Sequence, residues 1–356
     1  MCLKLDSGSG PEGRQPDFTA KGIDMAKIGV GVIGVGSFGE LHIEAYRALS
    51  DVEIVAISDV RESRLREMSS KYHIPYTYTD ARELCARTDI EMVSVVTPES
   101  LHLEPVLAAA QAGKHILIEK PIATNLEDAA KIIEAAAKAQ LHLMVGHILR
   151  FETNYGSVRR EIQEGNLGRI ISIHARRNRP KKLYATYSRT HGILENSIHD
   201  IDLCLWYTQD RVRNVRAFTR NIQGGDTPDI NWSFLEFAGG AVACIENHWL
   251  IPDQAGIMTN DAMQVIGSKA VADIHLVPSS LNLWREQGAE SVNVSYDAHF
   301  AGRVWGAIKE EVGYFVDCVK RGESPKVLTP QDAFEALRVA LALIRSSQEQ
   351  CDVKLD

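Results

Sequence analysis

The segment KIGVGVIGVGSFG, residues 27–39, starts as an apolar run and breaks into glycines at positions 34, 36 and 39. The amphipathic stretch FGELHIEAYRAL (38–49) follows at once. Apolar strand, glycine turn and helix in that order form a cradle for a dinucleotide. Gly34 permits the tight turn, Gly36 lets the backbone approach a pyrophosphate, and Gly39 allows close packing of helix on strand. Ser37 and Phe38 complete the loop, and the anion sits where unpaired N–H groups and the helix dipole favour negative charge.

Outward from this segment the same alternation continues. VEIVAISD (52–59), EMVSVVTP (91–98), HILIEKP (115–121) and LHLMVGH (141–147) read as strands. SRLREMSSKY (63–72), LHLEPVLAAAQAG (101–113) and NLEDAAKIIEAAAKAQ (125–140) read as the helices between them. Nearly unbroken Val/Ile runs are what parallel strands show when helices cover both faces. The spacing therefore predicts an α/β fold with a doubly wound parallel sheet over residues 25–148. Asp59 ends the second strand 20 residues beyond Gly39. A carboxylate there accepts hydrogen bonds from ribose hydroxyls and repels a 2′-phosphate, which favours NAD over NADP, while Arg61 is a group that could receive such a phosphate.

Past residue 148 the rhythm changes. RIISIHARRN (169–178), NVRAFTRNIQ (214–223), NWSFLEFAGGAVACIENHWL (231–250) and AMQVIGSKAVADIHL (262–276) read as long strands, with hairpin turns in FAGGAVA (237–243) and IGSKAVA (266–272). Helices are expected over 154–164, 197–207, 304–321 and 330–347. The second unit, 149–356, is thus an α+β domain with a large, open, mostly antiparallel sheet, and the boundary falls near 147–152.

Composition narrows the partners. The 356 residues fit two domains. A formal net charge of −8 leaves no basic footprint for nucleic acid or anionic membrane. Six cysteines without a C-x-x-C pair fit a reducing cytoplasm. Residues 1–24 lack the apolar core of a signal peptide and read as a flexible tail, and no run approaches the roughly 18 apolar residues of a membrane span.

In an open parallel sheet the carboxyl ends of the strands border the ligand crevice. Thr97, Pro98 and His102 follow one strand there, and Glu119 and Lys120 end the next. Pro121 stops that strand and turns Lys120 into the cleft, where a lysine can stabilise a developing alkoxide. HGILENSIHDIDLCLWY (191–207) places Glu195, His199 and Asp202 at i, i+4 and i+7, on one face of a regular helix. An imidazole with a carboxylate one turn away is a workable general base. The same trio could hold a divalent cation, but it lacks a further His or Cys, so no metal is expected.

GVGSFG, TP followed by His102, Glu119-Lys120-Pro121 and the H-D-I-D segment at His199–Asp202 together resemble the Gfo/Idh/MocA oxidoreductases. The likeness runs over residues 26–355, into EEVGYFVDCVKRGESPKVLTPQDAFEAL (310–337). It implies a Rossmann domain joined to an α/β domain whose open sheet mediates homodimers or homotetramers. It also implies NAD(H)-dependent hydride exchange with a secondary alcohol or ketone of a sugar, inositol or related polyol. By the resemblance Lys120 is the catalytic lysine and His199 the acid/base. Glu195 stands where the family usually carries Asp, and is expected to orient the imidazole. Arg150, Tyr155, Arg176 and Asn196 flank the expected cleft as substrate contacts. Two other readings accompany this one: glycoside cleavage or epimerisation by transient oxidation with retained NAD, and a dinucleotide-sensing regulator without turnover.

Overall fold

The computed structural model describes residues 27–276, 281–286, 288–292 and 294–355, so the tail expected at 1–24 lies outside the described residues. The first sheet comprises β1 (Ile28–Ile33), β2 (Val52–Ser58), β3 (Tyr76–Tyr78), β4 (Met92–Val95), β5 (His115–Glu119) and β6 (Leu143–Gly146). All pairings are parallel, in the order β3-β2-β1-β4-β5-β6. Helices α1 (Ser37–Arg47), α2 (Glu62–Tyr72), α3 (Ala81–Cys85), α4 (Leu103–Gln111) and α5 (Leu126–Lys138) provide the crossovers. Every residue of β1, β4 and β6 is buried, which is why these strands lack polar alternation. The order reverses between β1 and β4, and the crevice opens there, at their carboxyl ends.

A 3-10 turn (Ile148–Phe151) leads from β6 into α6 (Thr153–Gln163), whose first backbone N–H groups are capped by the Glu152 carboxylate. Then come β7 (Ile170–Asn178), α7 (Lys181–Tyr187), a π-helical turn (Ile193–Ser197) and α8 (Ile198–Thr208). The remaining long strands are β8 (Val212–Arg220), β9 (Ile230–Phe237), β10 (Val242–His248), β11 (Asn260–Gly267) and β12 (Val271–His275). With the terminal strand Val353–Lys354 they form one sheet, ordered β12-β11-β7-β10-β9-β8-terminal strand. Only β7 and β10 run parallel. Both expected hairpins form, as β9–β10 and β11–β12. The helix expected from residue 304 starts later. Arg303–Trp305 pairs with Ala298–Phe300 as a short strand, and Gly306, at φ +101°, turns the chain into α9 (Ala307–Arg321).

Two helices tie the halves together. α9 packs on α1, with Lys320 paired to Asp51. α10 (Pro330–Glu349) opens with a capping box between Thr329 and Asp332 and packs on α8 and β8 from one side and on α5 and β6 from the other.

The inner layer of the second sheet is fixed by charge as well as by apolar packing. Arg177 on β7, 1% exposed, gives two 2.8 Å hydrogen bonds to the Asp200 carboxylate on α8 and one of 2.9 Å to Asp261 on β11. Its backbone carbonyl accepts from Asn196 and Asn247. Removing one partner from such a group strands the others without solvent. Arg177→Met is therefore expected to cost about 3–5 kcal/mol of unfolding free energy, read from urea denaturation; a loss below about 1 kcal/mol would contradict a structural role for this triad.

Candidate active site

The glycine turn has the shape its spacing implies. Gly34 lies at φ +88°, and a Cβ there would come within 2.6 Å of the Val96 carbonyl oxygen. A Cβ on Gly39 would lie 2.0 Å from the Gly34 carbonyl oxygen. Gly36 instead faces open space, with nothing nearer than an Arg61 nitrogen at 4.0 Å, and Ser37 and Phe38 are exposed beside it. The cradle therefore has its crowded side towards the protein and its free side towards the crevice, which fits a dinucleotide pyrophosphate. A dinucleotide bound there would have its phosphates held by Gly36, Ser37 and the first turn of α1.

Asp59 is fixed before any ribose arrives. Its carboxylate accepts from the backbone N–H of Val35 and of Arg61, each at 3.0 Å, and from the Arg61 guanidinium at 3.0 and 3.2 Å. Burial pushes the carboxyl up, and these donors overcome it and hold it below the ordinary aspartate value. Arg61 itself is largely exposed, at the rim.

Glu119 and His102, expected at the cofactor, support the floor beneath it. Glu119 bonds His42 Nε2 at 3.0 Å and accepts from the Lys120 backbone N–H at 3.1 Å. His42 continues to Ser94, and Ser94 to the Tyr46 hydroxyl. His102 lies with Nε2 3.0 Å from the Thr97 carbonyl and Nδ1 3.0 Å from that of Pro121, so its ring clasps the ends of β4 and β5. Pro98 begins the 3-10 turn Glu99–Leu101.

Lys120, ahead of the cis bond to Pro121, reaches into the second half. Its Nζ donates to the Glu195 carbonyl oxygen at 2.7 Å and to the Glu195 carboxylate at 3.3 Å. Glu195 sits in the π-helical turn, and the wider turn breaks the i, i+4 alignment a regular helix would give it with His199. Glu195 is thus Lys120's partner, and does not orient the imidazole. Burial raises its carboxyl and Lys120 offsets part of the rise. His199, at the start of α8, has a partly accessible ring, while its Nδ1 is buried with no hydrogen-bond partner among the described residues. Burial first, then Lys120, Arg177, His147 and Arg179, hold the imidazole well below its ordinary value, so it rests neutral.

The four expected substrate contacts are placed elsewhere. Arg150 is spent on a two-pronged ion pair with Asp202, at 2.7 and 2.9 Å, and on the Val327 carbonyl. Tyr155 is fully buried, its hydroxyl 3.4 Å from Arg177. Asn196 is bound to the Arg177 carbonyl. Arg176 projects from the outward side of β7, because alternation gives the inward position to Arg177. Asp202 pairs with Arg150, and among the described residues no group of three His, Cys, Asp or Glu is arranged to hold a metal.

Two features escaped the sequence reading. Glu99 bridges the cleft mouth, accepting from Arg189 at 2.8 Å and from the Thr190 hydroxyl. His147, directly after β6, lies beside His199 with ring centroids 6.5 Å apart. The available signals were that Glu99 directly follows the T-P motif and that His147 meets His199 and Asp202 of the H-D-I-D motif.

The buried histidines also set a stability profile. Burial depresses His147, His199 and His191 below the ordinary value of 6.5, His191 to about 4. Each stays neutral in the fold while the unfolded chain takes up protons, so stability present above pH 6.5 is lost as pH falls towards 4. Calorimetry is expected to show the melting midpoint falling through that window; a flat midpoint there would contradict burial of neutral imidazoles.

Comparison with known proteins places this geometry. Residues 28–147 match the family model of the GFO/IDH/MocA oxidoreductases, described as an NAD-binding Rossmann fold, and residues 155–273 match the GFO/IDH/MocA C-terminal domain. The myo-inositol 2-dehydrogenase of Thermotoga maritima is 32% identical over 338 residues, 92% of this chain and 98% of that protein. The crystal structure of a probable dehydrogenase from Thermotoga maritima superposes with a TM-score of 0.80 at 28% identity, covering 92% of this chain and 98% of that one. The scyllo-inositol dehydrogenase of Lactobacillus casei, solved with NAD(H) and scyllo-inositol, shares the fold at a TM-score of 0.81 and 21% identity, over 92% of this chain and 99% of that one. The glycine cradle, the Lys120 strand end and the α8 histidine thus stand in a chain that belongs to the Gfo/Idh/MocA oxidoreductases.

Proposed function

We propose that this protein is an NAD-dependent dehydrogenase that oxidises a secondary hydroxyl of a cyclic polyol of the inositol class. The observation that carries the reading is the contact of the Lys120 ammonium with Glu195, one turn before His199, which brings a cation from the first half and a neutral base from the second to one crevice. The inositol dehydrogenase relatives support the substrate class.

Each residue has a separate task. His199 takes the hydroxyl proton at its accessible nitrogen. Lys120 donates to the same oxygen as it becomes an alkoxide, which is where a fixed cation lowers the barrier most. Glu195 holds the Lys120 amine against the crevice wall. In this reading Asp59 exchanges the exposed Arg61 guanidinium for the adenosine ribose hydroxyls while keeping its backbone donors, which favours NAD over NADP.

The same reading includes self-association. The outward face of the second sheet carries Phe218, Trp232 and Phe234, each at least 38% exposed, with Phe218 and Trp232 opposite one another across β8 and β9. An exposed apolar stripe of this kind fits a buried contact with a second copy. No helix among the described residues is long and apolar enough to cross a membrane.

The first test follows NADH formation with myo-, scyllo- and chiro-inositol, with NAD and NADP in parallel. Lys120→Met and His199→Gln should each lower kcat about 10²–10⁴-fold while NADH still binds; inositol turnover unchanged in either variant contradicts the assignment. The second measures sedimentation: Trp232→Arg with Phe234→Glu should shift an oligomer to monomer, and an unchanged mass would exclude this face as the contact.

A further inference from the structure

One buried group near the site has no task so far. His147 is 1% exposed, and neither ring nitrogen has a hydrogen-bond partner among the described residues. A polar ring enclosed this way is costly unless something meets it in the working protein. On one side it faces His199, nearly perpendicular, at 83° between ring planes. On the other, its Nδ1 stands 3.8 Å from the Asp202 carboxylate.

The charges around the two rings differ in kind. Burial disfavours a proton on either ring, and on His199 the charges of Lys120, Arg177 and Arg179, with the His147 ring, add to it. His147 is likewise held down first by its burial, but two carboxylates, Asp202 and Glu119, act on it in the opposite sense, against Arg150 and Lys120. A proton shared with the second ring is thus moved away from three cations and towards a carboxylate. The nitrogen of His199 facing away from solvent is also the one without a partner.

We propose that His147 is a proton-relay residue: as His199 accepts the substrate proton, the proton on its far nitrogen passes to His147, whose imidazolium is held by Asp202. This rests on the dehydrogenase reading above. In that reaction the carbinol C–H bond breaks and its electron pair leaves as hydride to the nicotinamide. The hydroxyl O–H bond breaks and that proton joins His199 Nε2. The His199 Nδ1–H proton moves through one bridging water to a nitrogen of His147. The products are the ketone, the reduced dinucleotide and a protonated His147, which returns its proton by the reverse path once the ketone has left. Two protons therefore move with one hydride, and His199 never carries a full extra charge beside Lys120.

The test uses the full chain with NAD and whichever inositol it oxidises fastest. Single-turnover NADH formation by the unaltered protein, measured in mixtures of light and heavy water, should fall along a curve, the signature of two protons in flight. His147→Phe should make that plot linear and slow the step by about 10–100-fold, less than the roughly 10²–10⁴-fold carried by a primary base. Added imidazole should restore part of the loss in His147→Ala, which leaves room for the ring, and none in the unaltered protein. A linear plot for the unaltered protein overturns the relay without reference to any variant. So does a His147→Ala loss that imidazole does not restore while NADH affinity is intact. Absence of turnover by the unaltered protein on every inositol overturns the dehydrogenase reading, and the relay with it.

Discussion

The contact on which the site depends is between Lys120 and Glu195, 75 positions apart in the chain. A lysine at the end of β5 can serve a reaction only if something holds its amine over the crevice, because a free four-carbon stem samples many rotamers. The carbonyl at 2.7 Å and the carboxylate at 3.3 Å supply that hold from the other half of the molecule. The π-helical turn makes it possible, since it presents the Glu195 carbonyl and carboxylate to the amine together. His199 then follows at the first turn of α8, near enough for the Lys120 charge to act on its imidazole.

Support for this contact is layered. Below Lys120, Glu119 accepts the Lys120 backbone N–H and His102 joins the ends of β4 and β5. Behind His199, Asp200 and Asp202 bind Arg177 and Arg150 in paired hydrogen bonds, which pins α8 between β7 and the 3-10 turn after β6. These buried ion pairs are satisfied on most sides, so their worth lies in fixing one arrangement of α8, and with it the direction of His199. The helices α9 and α10 close the assembly by packing on elements of both halves.

Five strands of the first sheet were legible in the sequence because they are largely apolar and the turn is written in glycines with distinct steric duties, whereas β3, Tyr76–Tyr78, is too short and exposed to show an apolar run. The second was legible through alternation and two glycine hairpins. Lys120 and His199 could be placed from motif and strand-end logic. Glu195 could not, because counting by fours assumes 3.6 residues per turn and the chain widens there into a π turn. Arg150, Tyr155, Arg176 and Asn196 went astray for another reason. Proximity to a cleft in sequence does not say which side chains are already claimed by buried carboxylates and carbonyls, and alternation along β7 separates Arg176 from Arg177 by a whole sheet thickness. His147 carried no sequence signal of its own, since a lone histidine after a strand is ordinarily packing.

The central claim is that Lys120 and His199 act on one oxygen. A double-mutant cycle measures this directly: kcat/KM for the preferred inositol with NAD, in the unaltered protein, Lys120→Met, His199→Gln and the pair. Groups that act as a unit are strongly non-additive. The account predicts that the pair loses little more than the worse single variant. Losses that multiply would show the ammonium and the imidazole working independently, and would contradict it.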